Sequence, residues 1–308
     1  MCAAPLMPTA IIDVLAVGEA MAVLSPDPVR PLRYATNLSM TMAGAEANVA
    51  VHLASLGLRT AFLSRVGDDP FGELIRDRLI EAGVDAAVVV DPAAPTGVYF
   101  KDPGEAGTLV HYYRAGSAAS TMDSSVWSDC PPARLVHLSG ITAALSPACA
   151  RLVATGLTSR PFGDAIASFD VNYRPRLWPP ADAGPVLADL ANHADVVFVG
   201  RDEAAVLWGT DAALEVRELI SAPAVLVVKD GGVGATEFGP GGVTFEPATP
   251  VEIVEPVGAG DAFAAGYVCG LLADRPSSER LRLGHQLASL ALMTAADVGA
   301  PPTFPLLW

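Results

Sequence analysis

Basic residues are scarce in this chain: 19 lysines and arginines stand against 34 aspartates and glutamates over 308 residues, a formal charge of −15. That deficit argues against nucleic acid or an anionic membrane as partner, since both are held through clusters of Lys and Arg. Cysteine is scarce too. Cys2, Cys130, Cys149 and Cys269 are scattered and form no C-x-x-C pair, so unpaired thiols in a reducing, cytoplasmic setting are expected rather than a disulfide framework. The five histidines lack H-x-x-x-H or comparable spacing, and core or surface roles outweigh zinc ligation for them. Met1 to Ala10 lacks the basic start of a secretory signal. No uncharged stretch combines transmembrane length with the apolar density a span needs. Repeats, charged tails and low-complexity linkers are also missing.

The chain does have a large apolar fraction, 51%, rich in Ala and Val and suited to a sheet buried on both faces. Strand and helix patterns alternate along its whole length, which favours one α/β domain over two. Leu15–Glu19 reads as a strand, Arg33–Met42 as an extended excursion, and Ala45–Leu56 as a helix with Val49, Leu53 and Leu56 on one face and Gly57 as its stop. A strand (Arg59–Val66), a helix (Phe71–Ala82) and a further strand (Ala87–Val90) complete a βαβ rhythm. Tyr99–Lys101 and Thr108–Arg114 interrupt it as a hairpin around Pro103, Gly104 and Gly107. Strands then follow at Leu135–Leu138, Ala167–Asp170, Val196–Val199 and Val225–Lys229, with helices at Pro180–Asn192 and Asp202–Trp208. Two short strands, Gly234–Phe238 and Gly242–Glu246, precede long helices at Gly260–Ala273 and Ser277–Ala296. The predicted architecture is a doubly wound, mostly parallel sheet flanked by helices, with a small β excursion standing off it.

Glu255-Pro-Val-Gly-Ala-Gly-Asp261 carries the most chemistry. A Gly258-Ala259-Gly260 turn opening a helix offers unpaired N–H groups at the positive end of the helix dipole, a cradle for phosphate. A pure anion site gains nothing from a carboxylate at its lip, so Asp261 points to proton abstraction from a hydroxyl and hence to phosphoryl transfer onto an alcohol. A plain glycine-rich turn with an acidic first helical turn is an equal alternative from this segment alone. There is no G-x-x-x-x-G-K-[ST] loop and no protein-kinase motif set, which removes the common rival phosphoryl-transfer folds.

A second segment breaks the tie: Ala43-Gly-Ala-Glu-Ala-Asn48-Val-Ala-Val-His-Leu-Ala-Ser-Leu-Gly57. In order and separation the two segments resemble the paired signatures of the PfkB (ribokinase-like) carbohydrate kinases, and the likeness spans nearly the whole chain. Arg65-Val-Gly-Asp-Asp-Pro-Phe-Gly72, Thr96-Gly-Val-Tyr-Phe100, Tyr112-Tyr-Arg-Ala-Gly-Ser-Ala-Ala119 and Asp170-Val-Asn-Tyr-Arg-Pro-Arg-Leu-Trp178 fall where the family would put them. The last three resemble the branch acting on 2-keto-3-deoxygluconate.

The resemblance implies a ribokinase-like fold over residues 1–308, with a small β lid from excursions near 31–43 and 97–115. It implies Asp261 as base with Gly258, Ala259 and Gly260 as anion hole. Gly44 and Asn48 would take sugar hydroxyls, Tyr99 and Tyr112 would contact the substrate, and Arg114 and Arg174 would hold an acid end through their planar forks. Read without the family, Arg174 paired with Asp170 and Arg114 solvated on the hairpin are the preferred assignments, and the plain alternatives for the tyrosines and Asn48 are hairpin packing and a polar contact within the first turns of its own helix. ATP with Mg²⁺ is the implied co-substrate. Lys229, Gly231, Gly232 and Gly234 would lie beside its phosphates, with adenine against the Ser277–Ala296 helix. From pattern alone, Lys229–Gly234 is at least as readily a turn between strands. Gly200 replaces the Asn of the family's Asn-x-x-Glu motif, so only Glu203 carries over, as a metal contact through water. Glu255 replaces the usual Asp, which clouds a monovalent-cation site. The implied partners are a sugar acid and ATP, with a homo-oligomer, dimer or higher. Kinases of neutral sugars (fructose, ribose) or of nucleosides, and a non-catalytic sugar sensor of the same fold, remain open alternatives.

Overall fold

The computed structural model describes residues 11–104 and 107–294. Its strands are β1 (Ile12–Val17), β2 (Met21–Pro26), β3 (Leu38–Ala43), β4 (Thr60–Gly67), β5 (Asp85–Asp91), β6 (Val98–Gly104), β7 (Gly107–Tyr113), β8 (Ala133–Ser139), β9 (Ile166–Asp170), β10 (Val196–Gly200), β11 (Val225–Asp230), β12 (Gly234–Gly239) and β13 (Gly242–Pro247). Its α-helices are α1 (Ala45–Ser55), α2 (Pro70–Glu81), α3 (Gly140–Ala144), α4 (Pro147–Ser159), α5 (Pro180–Asn192), α6 (Arg201–Trp208), α7 (Ala213–Leu219), α8 (Ala259–Leu272) and α9 (Ser277–Leu292).

Nine strands form one sheet in the order β13-β12-β11-β10-β9-β8-β1-β4-β5, and β3-β2-β6-β7 form a second. Strands β4, β5 and β8 to β11 run parallel to β1 in one continuous ladder, and only β12 runs against them, paired antiparallel with β11 on one side and β13 on the other. Strand side chains alternate between two apolar layers. Leu15 and Val17 pack with Leu152, Val153, Leu187 and Leu190 of α4 and α5. Val14 packs on the opposite face with Val49, Leu53 and the helices α8 and α9. Each such side chain, fully withdrawn from water, contributes about 1.5–3 kcal/mol of transfer free energy, which is why the central strands read as near-continuous apolar runs.

Several expectations shift in detail. The first strand ends at Val17, which frees Gly18 and Glu19 to turn at its carboxyl end. Arg33 and Tyr34 lie in a 3-10 turn, and the extended part of that excursion is Leu38–Ala43 alone. The small sheet contains a strand outside the predicted set, β2, whose pairing with β3 and β6 joins the two excursions. Helix α4 is likewise unpredicted; Ser146 caps it by accepting the Cys149 N–H at 3.1 Å, with Pro147 in the first turn. The predicted end of the last helix, Ala296, lies outside the described residues, as does Cys2. Cys149 and Cys269 are free thiols, both buried. No helix among the described residues is long and apolar enough to cross a membrane.

Candidate active site

The parallel strands point their carboxyl ends to one side, and the residues just beyond them gather there, as open α/β sheets dictate. Glu19 follows β1, Asp170 ends β9, Glu203 lies in the first turn after β10, and Lys229 sits near the end of β11. With the mouths of α1 and α8 and the inner face of the small sheet, they enclose a cavity of about 430 Å³. A neighbouring cavity of about 530 Å³ runs from Gly231, Gly232 and Gly234 to His285, Ala288 and Ser289 on α9. The two share Lys229, Pro256 and Gly260, so they meet at the start of α8.

That start is built as the glycine pattern predicts. Gly258 takes a left-handed φ of 85° as the residue preceding α8, a conformation a side chain would strain. Ala259, Gly260 and Asp261 form the first turn, where N–H groups lack intrahelical acceptors. Asp261 faces the 430 Å³ cavity. Its Oδ2 accepts from Asn48 Nδ2 at 2.8 Å, and its Oδ1 from Asn172 Nδ2 at 3.4 Å. Burial is the main cause that lifts its pKa from 3.8 to about 7; the Asn48 hydrogen bond, Arg174 and Lys229 pull against the rise, and Asp170 adds to it. Asp261 is half-buried by its own surface, so the desolvation comes from the walls around an opening, the setting a base needs to meet a hydroxyl.

Gly44 precedes α1 under the Glu19 carbonyl, which a Cβ at position 44 would strike. Asn48 thereby reaches across to α8 rather than bonding only within its own helix, although its Oδ1 also accepts from Gly44 N at 3.4 Å. Tyr99 and Tyr112 pair across β6 and β7 with ring centroids 5.4 Å apart, and both line the cavity. Arg114 is not solvated on the hairpin. Its side chain is 10% exposed and ion-paired with the fully buried Glu19, whose other oxygen accepts from Ser117 Oγ at 2.6 Å. Arg114 Nε is buried with no acceptor, and the guanidinium lies 5.7 Å from the Tyr112 ring centre. Arg174 does not pair with Asp170; it lies 3.6 Å from Glu203 and remains about half exposed, at 46%.

Asp170 instead holds Lys229, Oδ2 to Nζ 2.8 Å. Burial works against the Lys229 charge, but Asp170, then Glu203 and Asp261, overcome it and raise its pKa. Glu203 accepts from Gly200 N at 3.0 Å, and burial together with the Asp170 charge raises its pKa. Among the described residues no group of three or more His, Cys, Asp or Glu side chains forms a metal cage. Mg²⁺ usually arrives on phosphates with its waters and needs one or two carboxylates; the carboxylates of this wall that could meet it are Glu203 and, where Lys229 leaves it free, Asp170. Gly231, Gly232 and Gly234 line only the second cavity, whose walls are mostly apolar, including Val251, Ile253, Phe263 and Leu292.

Glu19, Asp170 and Asn172 stand in the cavity wall without having been given a role in advance, although Asp170 and Asn172 belong to the Asp170–Trp178 segment that carries part of the resemblance. Asn172 carries the readable signal: an Asn just past a strand tolerates the left-handed backbone it adopts here, φ 40°.

This layout, a switch-point crevice with an acidic residue at a glycine-rich helix mouth and a small sheet above it, is that of a sugar-kinase fold. The signature of the pfkB family carbohydrate kinases matches residues 12–302, and the chain belongs to that family. It is 36% identical to a 2-dehydro-3-deoxygluconokinase of Thermoproteus tenax, covering 96% of this chain and 92% of that protein. To a 2-dehydro-3-deoxygalactonokinase of Haloferax volcanii it is 32% identical, covering 93% and 92% respectively. The crystal structure of a Thermotoga maritima 2-dehydro-3-deoxygluconokinase superposes with a TM-score of 0.83 at 25% identity, covering 93% of this chain and 95% of that one.

Proposed function

We propose that the protein is an ATP-dependent kinase of a sugar acid, 2-keto-3-deoxygluconate first, phosphorylating its primary hydroxyl to give the 6-phosphate. The observation that carries this reading is the placement of Asp261. It sits at the mouth of α8, held by two asparagine amides, where a charged cavity of about 430 Å³ meets a mostly apolar one of about 530 Å³. The names of the relatives support the acceptor class.

In this reading the sugar acid fills the charged cavity, its hydroxyls near Gly44 and Asn48, one face against Tyr99 and Tyr112, its carboxylate toward Arg114 and Arg174. The buried Arg114 Nε without an acceptor supports that end of the pose, because an orphaned guanidinium N–H gains most from a carboxylate. ATP lies in the second cavity with its phosphates over Lys229 and the Gly231–Gly234 turn. Glu203 would order a water of a Mg²⁺ ion carried in on the phosphates, and that ion would offset their charge. Asp261 takes the proton of the primary hydroxyl as the sugar oxygen bonds to the γ-phosphorus and the bond to the β-phosphate oxygen breaks. The Gly258–Gly260 amides hold the charge on the transferring group. The chain acts as one kinase domain, with the small sheet as its lid: the 31–43 and 97–115 excursions plus β2. The edge strands of the lid, β3 and β7, favour pairing into a dimer or higher oligomer.

The test is ADP release from MgATP with 2-keto-3-deoxygluconate, its C4 epimer, fructose, ribose and adenosine. Turnover confined to, or at least tenfold faster with, the acids is expected. Faster turnover of a neutral sugar or nucleoside overturns the acid assignment, and no turnover with any of them favours a binding protein.

A further inference from the structure

The loop that delivers Gly258–Gly260 begins at Glu255, and the surroundings of that carboxylate differ from those of a cation site. Glu255 is 8% exposed. Its Oε1 accepts from Val257 N at 3.3 Å, which folds the carboxylate over the loop it precedes. The N–H groups of Val254 and Glu255 both reach the Leu292 carbonyl, at 2.8 and 3.2 Å, tying the loop to the end of α9. Glu255 Oε2 faces Lys101 Nζ at 3.2 Å, with side-chain exposures of 11% and 7%. Lys101 comes from β6 of the small sheet, 154 residues away in sequence. It lies two residues from Tyr99, on the same face of the strand.

A buried carboxylate next to an anion hole needs a counter-charge, or it repels the phosphoryl group it flanks. Family resemblance would supply a monovalent cation at this point. The residues present do not fit one, since the ammonium of Lys101 already occupies the open side of Glu255, and a second cation there would be repelled at contact distance.

We propose that Lys101 is a positioning residue for the anion-hole loop, acting through Glu255, and that its ammonium replaces the monovalent cation, so that this kinase turns over without K⁺ or Na⁺. The proposal rests on the reading of Gly258–Gly260 as the anion hole. It also links the lid to that hole, since the strand that presents Tyr99 to the acceptor holds the loop that receives the phosphoryl.

The experiment compares the wild type with Lys101→Met, Lys101→Arg and the double variant Lys101→Met/Glu255→Gln, in tetramethylammonium buffer with or without KCl or NH₄Cl at constant ionic strength. Wild-type kcat is expected to be unchanged by K⁺. Lys101→Met should lose about 10- to 100-fold in kcat with acceptor KM changed less, the scale expected when a reacting group is misplaced by an ångström or less. Lys101→Arg should restore most of that loss. Ammonium should raise the melting temperature of Lys101→Met but of neither the wild type nor the double variant, whose neutral pair leaves no bare charge. The melting arm needs no acceptor, so a wrong substrate assignment leaves it intact. Should Lys101→Met fail to fold, the double variant carries the test, with lowered kcat and no cation response expected. A wild type activated severalfold by K⁺, a Lys101→Met enzyme with wild-type kcat, or a double variant with wild-type kcat overturns the proposal.

Discussion

The two cavities that meet at Gly260 are built from opposite materials. On the acceptor side the wall is charged: Glu19 with Arg114, Asp170 with Lys229, Glu203 with Arg174, and Asp261 alone among amides. On the nucleotide side Lys229 is the one Lys, Arg, Asp or Glu among the lining residues, and even His285 has its pKa lowered by burial. On the proposed reading, discrimination among acceptors is electrostatic and directional, whereas the donor is gripped by shape, apolar contact and backbone N–H groups. Charged pairs held in place by other charged pairs are costly to break. An apolar wall tolerates repacking.

That contrast orders the expected effects. Asp261→Asn should reduce kcat by about 10²–10⁴ with acceptor binding retained, as expected of a lost general base. The same change should make the fold more stable at alkaline pH. A carboxyl whose folded pKa is raised stabilises the fold fully only below its unfolded value, 3.8, and that contribution is gone once pH passes about 7. Removing the ionised form should raise Tm at pH 8 by a few degrees, at about 2–4 °C per kcal/mol, and leave it unchanged or lower at pH 4. Arg174→Ala should raise KM for a sugar acid about 10- to 100-fold, the loss of one charge-assisted contact, and KM for a neutral sugar far less. Equal changes in both would mean that Arg174 serves Glu203 rather than the substrate. Gly260→Ala sharpens the comparison at the junction. A Cβ there meets nothing closer than Lys229 Nζ at 3.6 Å, and Gly to Ala inside a helix gains about 0.5–1 kcal/mol. Tm should hold or rise while kcat/KM for MgATP drops about tenfold. A drop in Tm with intact turnover would place the glycine in packing rather than in phosphoryl transfer.

The same contrast explains what was legible in the sequence. Asp261, the Gly258–Gly260 turn and Asn48 belong to contiguous motifs whose local geometry follows from residue type, and the structure brings them together within one cavity. Glu19 reaches it only because strands distant in sequence end side by side, so no local pattern distinguishes it from an ordinary strand-end polar residue, and the Asp170–Trp178 segment, though recognisable, does not show that Asp170 would hold Lys229 or Asn172 would hold Asp261. The pairing of Arg114 with Glu19 hides for the same reason. Gly18 and Glu19 also interrupt the apolar run that would otherwise announce β2. Helix α4 carries a readable cap in Ser146 and Pro147, but its Ala, Thr and Gly residues dilute the apolar period of Leu152, Val153 and Leu157. On the nucleotide side Val251, Ile253 and Leu292 look like any core residue until the fold leaves a space between them.

The most direct test of Asp261 as the base is the pH dependence of kcat/KM for the acceptor at saturating MgATP, in the wild type and in Asn48→Ala. Because the ionised carboxylate is the active form, the wild type should lose activity as pH falls through about 7. Loss of the 2.8 Å amide hydrogen bond that favours ionisation should move that inflection to higher pH in the variant. A profile flat from pH 5.5 to 8.5 in the wild type, or an inflection that stays in place without Asn48, would contradict it.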